Sequence, residues 1–148
     1  MRISVKGRYA LASVITIAKE SARGSNVSVN TIAESLGISK IYLEQVFAQL
    51  KKVNLLISVK GPKGGYRLAK PPEKITVWEA LSTLELGLTE QPEDTVGGSA
   101  PEIEMAIRTL VFDPLDESVK ERLSAITFRD LLDFAEKQES NRAFMLNM

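Results

Sequence analysis

Leu56-Ile57-Ser58-Val59-Lys60-Gly61-Pro62-Lys63-Gly64-Gly65-Tyr66-Arg67-Leu68-Ala69 decides the fold of this chain. It holds two short β-prone runs joined by Gly61-Pro62-Lys63-Gly64-Gly65, and it reads as a β-hairpin with a long loop. Three segments with helical periodicity precede it. Tyr9, Leu11, Ala12, Val14, Ile15 and Ala18 give a first helix a broad apolar face, and the turn-rich Ala22-Arg23-Gly24-Ser25-Asn26 ends it near Ser21. Ser28 is placed to cap a second, short helix through Val29, Ile32, Ala33 and Leu36, which stops at Gly37. Ser39 caps a third, whose Leu43, Val46, Phe47 and Leu50 complete the i, i+3, i+4, i+7 pattern. Two consecutive helices split by a short Gly-containing turn and followed by a hairpin make a winged helix-turn-helix.

Beyond the hairpin, Pro71-Pro72 closes the unit and Thr76 caps a short helix with Val77, Trp78, Leu81 and Leu84. Residues 86–100 lack periodicity and are rich in Glu, Pro, Gly and Ser, which predicts a flexible surface loop. After Pro101, the residues Ile103, Ala106, Ile107, Leu110 and Val111 form a second strong stripe, continued more narrowly by Leu115, Val119 and Leu123. Asp113-Pro114 either kinks this helix or starts a new one. Thr127-Phe128-Arg129-Asp130 resembles a capping box with Asp in place of Glu, opening a last helix through Leu131, Leu132 and Ala135. The expectation is a mainly α protein: a winged helix-turn-helix with a two-stranded wing over residues 1–85, the loop, and a long helix over 101–125. A C-terminal helix and tail over 126–148 would pack back on the first unit.

The chain has 148 residues, 44% apolar and 26% charged, the balance of a folded globular protein. It contains no cysteine and no histidine, which removes disulfides, thiolate-held metal centres and the commonest general base. No catalytic pair stands out among the remaining nucleophiles, so neither an enzyme nor a cofactor is expected. The N-terminus begins basic and continues apolar, superficially like a secretion signal, but Arg8 and Tyr9 break the run and no small-residue cleavage site follows. No stretch approaches the ~20 apolar residues that span a bilayer, and a cytoplasmic location without membrane contact is expected.

The formal net charge of zero hides a division. Residues 1–74 carry thirteen Lys and Arg against four Asp and Glu, net +9, and residues 75–148 carry six against fifteen, net −9. A basic, helix-rich half ending in a Gly-rich hairpin suits double-stranded nucleic acid, which the acidic half would repel. On the third helix the apolar stripe is committed to the core. Ser39, Lys40, Ile41, Tyr42, Glu44 and Gln45 are left outward near its start, the part of a recognition helix that reaches base edges. Gln45 can pair with adenine, Glu44 can accept from cytosine N4, and Ile41 can meet a thymine methyl. Lys60, Gly61, Lys63, Gly64 and Arg67 sit in or beside the wing, within reach of phosphates or a minor groove. Arg2, Lys6 and Arg8 at the start of the first helix add phosphate contacts.

Plainer readings stand beside these. Winged helices also serve as protein–protein interaction modules, an alternative the fold leaves open. Tyr42 and Glu44 can pack against the first helix instead of reading bases. Trp78 is either an ordinary core tryptophan or the wall of an effector pocket. Asp113, Asp116, Glu117 and Glu121 either gather a divalent cation or, more simply, favour the dipole of a helix start, and no metal site is expected.

Several stretches carry a family resemblance: residues 1–11, Ile32-Ala33-Glu34, Tyr42-Leu43-Glu44-Gln45-Val46, residues 59–69 and residues 123–131. Together they resemble the Rrf-two (Rrf2) family of bacterial transcription regulators from end to end, with the G-P-x-G-G-Y wing and the K-G-R-Y-A start as specific marks. The resemblance implies a homodimer in which the long helix crosses its copy, using Ile103, Ile107, Leu110, Val111, Leu115, Val119 and Leu123. Two recognition helices would then address the half-sites of an imperfect palindrome. The best-known members hold an iron–sulfur cluster on three cysteines in the loop before that helix. Here the loop has none, and cluster sensing is not expected. The tail Arg142-Ala143-Phe144-Met145-Leu146-Asn147-Met148 resembles that of the cluster-free repressors of cysteine metabolism in Gram-positive bacteria. That likeness implies control of sulfur and cysteine genes, with cysteine synthase as protein partner and O-acetylserine, or another small-molecule effector, as signal.

Overall fold

The computed structural model describes residues 3–90 and 93–148, so Arg2 and residues 91 and 92 of the loop lie outside the described residues. Ser4 opens α1 (Val5–Ala22) by accepting the Gly7 N–H, while its own N–H and hydroxyl both donate to the Glu85 carboxylate. Ser28 caps α2 (Val29–Leu36), and Gly37 ends it in the left-handed region at φ 67°. Ser39 then starts α3 (Lys40–Lys52), whose Leu43, Val46, Phe47 and Leu50 are fully buried together with Ile32 of α2 and Ala10, Val14 and Ile17 of α1.

Strands β1 (Leu56–Val59) and β2 (Gly65–Leu68) pair antiparallel, with Leu56 opposite Leu68 and Val59 opposite Gly65. Val27, just past the turn that ends α1, adds a rung. It exchanges both backbone hydrogen bonds with Tyr66, at 3.0 and 2.7 Å. Gly65 makes this possible: its φ is 139°, and a Cβ there would strike the Val27 backbone.

A capping box between Thr76 and Glu79 starts α4 (Val77–Leu84), and the expected second one, between Thr127 and Asp130, starts α7 (Phe128–Leu146). The two caps face each other. Val77 N–H donates to Ile126 C=O and Phe128 N–H donates to Ile75 C=O, both at 2.9 Å. Phe128 and Leu132 are buried in the core, and Lys19 of α1 pairs with Glu139 of α7 at 3.0 Å. The tail expectation needs correction: α7 is exposed from Asp133 onward, and Phe144, Met145, Leu146 and Met148 do not pack back. The polar run from Glu136 to Arg142 gives that part of the helix no apolar stripe to bury.

Between the caps runs an arm made of α5 (Pro101–Ile107), a π-helical stretch (Arg108–Phe112) and α6 (Asp113–Ser124). Of the two readings of Asp113-Pro114, a new helix start is what is seen: α6 begins at Asp113 with Pro114 in its first turn, yet the backbone stays helical across the junction. Ile107, Arg108, Phe112 and Asp113 all keep right-handed helical angles, and the Asp113 N–H donates to the Arg108 carbonyl, five residues back. The widened turn just before Pro114 absorbs the loss of the proline N–H. Among the described residues, no helix is long and apolar enough to cross a membrane.

Candidate nucleic-acid interface

At the start of α3 the Ser39 hydroxyl accepts the Tyr42 N–H, so it is engaged as a cap. Lys40, Ile41, Glu44 and Gln45 are exposed, with the Lys40 ammonium 4.0 Å from the Glu44 carboxylate. Ile41 is 69% exposed, so its apolar side chain contributes little to the core and is open to a partner. Tyr42 is half-buried and meets Tyr9 of α1 edge-to-face, ring centroids 5.8 Å apart. The two tyrosines pin the start of α3 to α1 and share a shallow cleft of about 370 Å³ with Ile41 and Gln45. On α1, Arg8 is exposed and Lys6 half-buried.

Lys60, Gly61 and Lys63 are exposed at the tip of the wing, where Gly64 N–H closes a turn on Gly61 C=O at 2.9 Å. Two bonds fix the wing that sequence reasoning missed. Asn26 Nδ2 donates to the Lys63 carbonyl at 3.1 Å, and Lys51 Nζ donates to Ser58 Oγ at 2.7 Å, tying α3 to β1. Asn26 reads in the sequence only as a turn residue, because nothing local marks a bond across 37 positions. Arg67 departs from the other wing cations. Tyr66 turns inward onto Phe47, ring centroids 4.8 Å apart, so Arg67 turns outward beside its cross-strand partner Ile57. There it faces a cleft shared with Lys70 and Arg129, at the root of the wing and not its tip.

In one copy of the chain no residue of the arm is buried. Ile103, Leu110, Val111 and Leu115 are each more than half exposed, Ile107 is 36% exposed, and Val119 and Leu123 are half-buried. Trp78 is half-buried on α4 beneath Lys120 of α6, whose ammonium lies 6.0 Å from the ring centroid, so it packs the arm against the body. Asp113 and Asp116 occupy the first turn of α6. No group of His, Cys, Asp and Glu among the described residues is arranged to hold a metal ion. On α7, the hydrogen bond and charge of Lys19 hold the exposed Glu139 carboxyl below its ordinary 4.5.

A three-helix unit with a two-stranded wing, basic at the wing tip and open along the start of its recognition helix, defines a winged helix-turn-helix DNA-binding regulator. The family model described as "Rrf2: Iron-dependent Transcriptional regulator" matches residues 3–134. The chain belongs to the Rrf2 family. It is 31% identical to the HTH-type transcriptional regulator CymR of Bacillus subtilis, over 99% of this chain and all of that one. It is 32% identical to the HTH-type transcriptional regulator IscR of Xenorhabdus nematophila, over 96% of this chain and 89% of that one. Among solved structures it superimposes on CymR of B. subtilis, described as the global cysteine regulator, with a TM-score of 0.75, at 31% identity and over 90% and 98% of the two chains. IscR of T. potens gives a TM-score of 0.73 at 32% identity, over 93% and 90%. The family and these relatives are transcription regulators, not enzymes.

Proposed function

We propose that the chain acts as a homodimeric repressor that reads an imperfect palindrome in double-stranded DNA, without an iron–sulfur cluster. The observation that carries this reading is the pairing, in one molecule, of an open recognition-helix start with an apolar arm that a single copy leaves uncovered. Apolar side chains exposed along the whole length of a helix mark an association surface, and the matching arm of a second copy covers them symmetrically. Two recognition helices then face two half-sites.

The family description carries iron, but the residues present do not fit a thiolate-held cluster. The chain has neither Cys nor His, and loop 86–100 offers only Glu90, Glu93 and Asp94, the last already accepting the Gly97 N–H. Likeness to the Bacillus regulator over both whole chains supports sulfur and cysteine genes as the regulated set. Control then falls to a partner such as cysteine synthase or to a small-molecule effector. Anisotropy titration against DNA from upstream of sulfur-metabolism genes, with a scrambled duplex as control, tests the reading. Selective binding at moderate salt is expected, and equal affinity for both duplexes overturns it. Light scattering should give twice the chain mass, and a monomer overturns the dimer.

One observation favours an added protein-docking role. Phe144, Met145, Leu146 and Met148 stand exposed at the end of α7. Deleting residues 142–148 should abolish partner binding and leave DNA binding by the dimer intact.

A further inference from the structure

A cleft of about 350 Å³ opens between the root of the wing, the turn after α1 and the first turn of α7. Arg67, Lys70 and Arg129 line it, and Ile57, Pro71 and Pro72 give it an apolar wall. No residue of α2, α3 or the wing tip contributes, so it is separate from the surface that would read DNA. Its cations are unequally neutralised. Lys70 is bonded to Glu79 at 2.9 Å, and Arg129 lies 3.7 Å from Glu73 and 3.5 Å from Asp133. Arg67 has no ion pair among the described residues. None of those three carboxylates lines the cleft.

We infer that this cleft binds a small organic carboxylate and that occupancy sets the pose of the wing. A guanidinium fork matches a carboxylate with two parallel hydrogen bonds, and Arg67 and Arg129 bring two such forks to one cavity. The volume argues for an organic body: at about 30 Å³ per water it holds roughly ten water-sized groups, more than an inorganic anion fills. The apolar wall suits the rest of such a ligand.

The walls are the parts that position the wing. Leu68 N–H donates to Ser21 Oγ at 3.2 Å, Asn26 holds the Lys63 carbonyl at 3.1 Å, and Val27 pairs with Tyr66. A carboxylate bridging Arg67 to Arg129 braces the hairpin against the body through these same segments. DNA and ligand that favour the same wing pose then strengthen each other's binding, and a mismatch weakens both. This regulatory part rests on the DNA-binding reading, whereas the ligand site does not.

The test follows amide chemical shifts of the full chain as succinate, benzoate or inorganic phosphate is added at constant ionic strength. Saturable shifts at Ser25, Arg67, Leu68 and Arg129 are expected with a carboxylate and weaker ones with phosphate. They should vanish in Ser25→Trp, which fills the cleft from an exposed turn, and in Arg129→Gln, the remaining spectrum reporting an intact fold. Should one variant misfold, the other decides. No saturable shift with either carboxylate, phosphate as effective as both, or undiminished shifts in the folded variants overturns the site. In a second arm, succinate should change affinity for a fixed DNA fragment by about fivefold or more, and not in Arg129→Gln. Unchanged affinity beside intact shifts overturns the coupling. Absence of any DNA binding beside intact shifts overturns the DNA reading and leaves the site standing.

Discussion

Glu44 and Lys60 separate two kinds of contact. On the proposed reading, Glu44, exposed on α3 and 4.0 Å from Lys40, would accept from one base edge, whereas Lys60, exposed at the wing, would meet phosphate. Glu44→Ala should relax discrimination at one base position by about 1–3 kcal/mol, read by anisotropy over single-substitution duplexes. Lys60→Glu should weaken all sequences alike. A sequence-selective loss from Lys60→Glu would reverse the two assignments. Glu139 gives a pH prediction. Its folded-state pKa is depressed by Lys19, so its small stabilisation is full above the unfolded value and is lost as pH falls through the lowered one. In Lys19→Ala the Glu139 carboxyl should titrate near its ordinary 4.5 by NMR, and an unchanged titration would rule the pair out.

At the level of elements, the arm is the part whose design depends on backbone geometry. Residues 103, 107, 111, 115, 119 and 123 recur every four positions. On a regular α-helix each four-residue step overshoots a turn by about 40°, so the series would wander by about 200° over its length. The π stretch from Arg108 to Phe112 takes more residues per turn and removes part of that drift, which helps hold the two stripes on one side. Leu110→Glu, at a position 77% exposed, should leave the fold intact and shift the protein to monomer in sedimentation. A dimer that persists would move the interface elsewhere. The helix stripes and the caps at Ser28, Ser39, Thr76 and Thr127 were legible in the sequence because each rests on residues three or four apart. The π turn was not, since Pro114 signals a break and says nothing of how a helix survives it. The Val27 rung, the Tyr9–Tyr42 contact and the Arg67–Arg129 cleft were equally hidden, because each joins residues far apart in the chain.

For the whole molecule, the division into +9 and −9 halves concerns binding more than folding. If six cations of the basic half each neutralise one phosphate, log K should fall against log salt with a slope of about −5 per monomer. A slope near zero in salt titrations would leave DNA without its electrostatic anchor. Under the proposed function the acidic half would lose nothing by its charge, since the arm and tail would meet protein and not DNA.

The facing caps at Thr76 and Thr127 make the arm a detour. The chain leaves the body at the end of α4 and returns beside its start, a separation of about 12 Å for an eight-residue helix. Everything between Glu85 and Ile126 is therefore a removable cassette, closed by a linker of about five residues. The trimmed chain should melt cooperatively as a monomer and bind a half-site weakly, seen by calorimetry and anisotropy. Failure to fold would mean that Lys120 over Trp78 holds the body together as well as the arm.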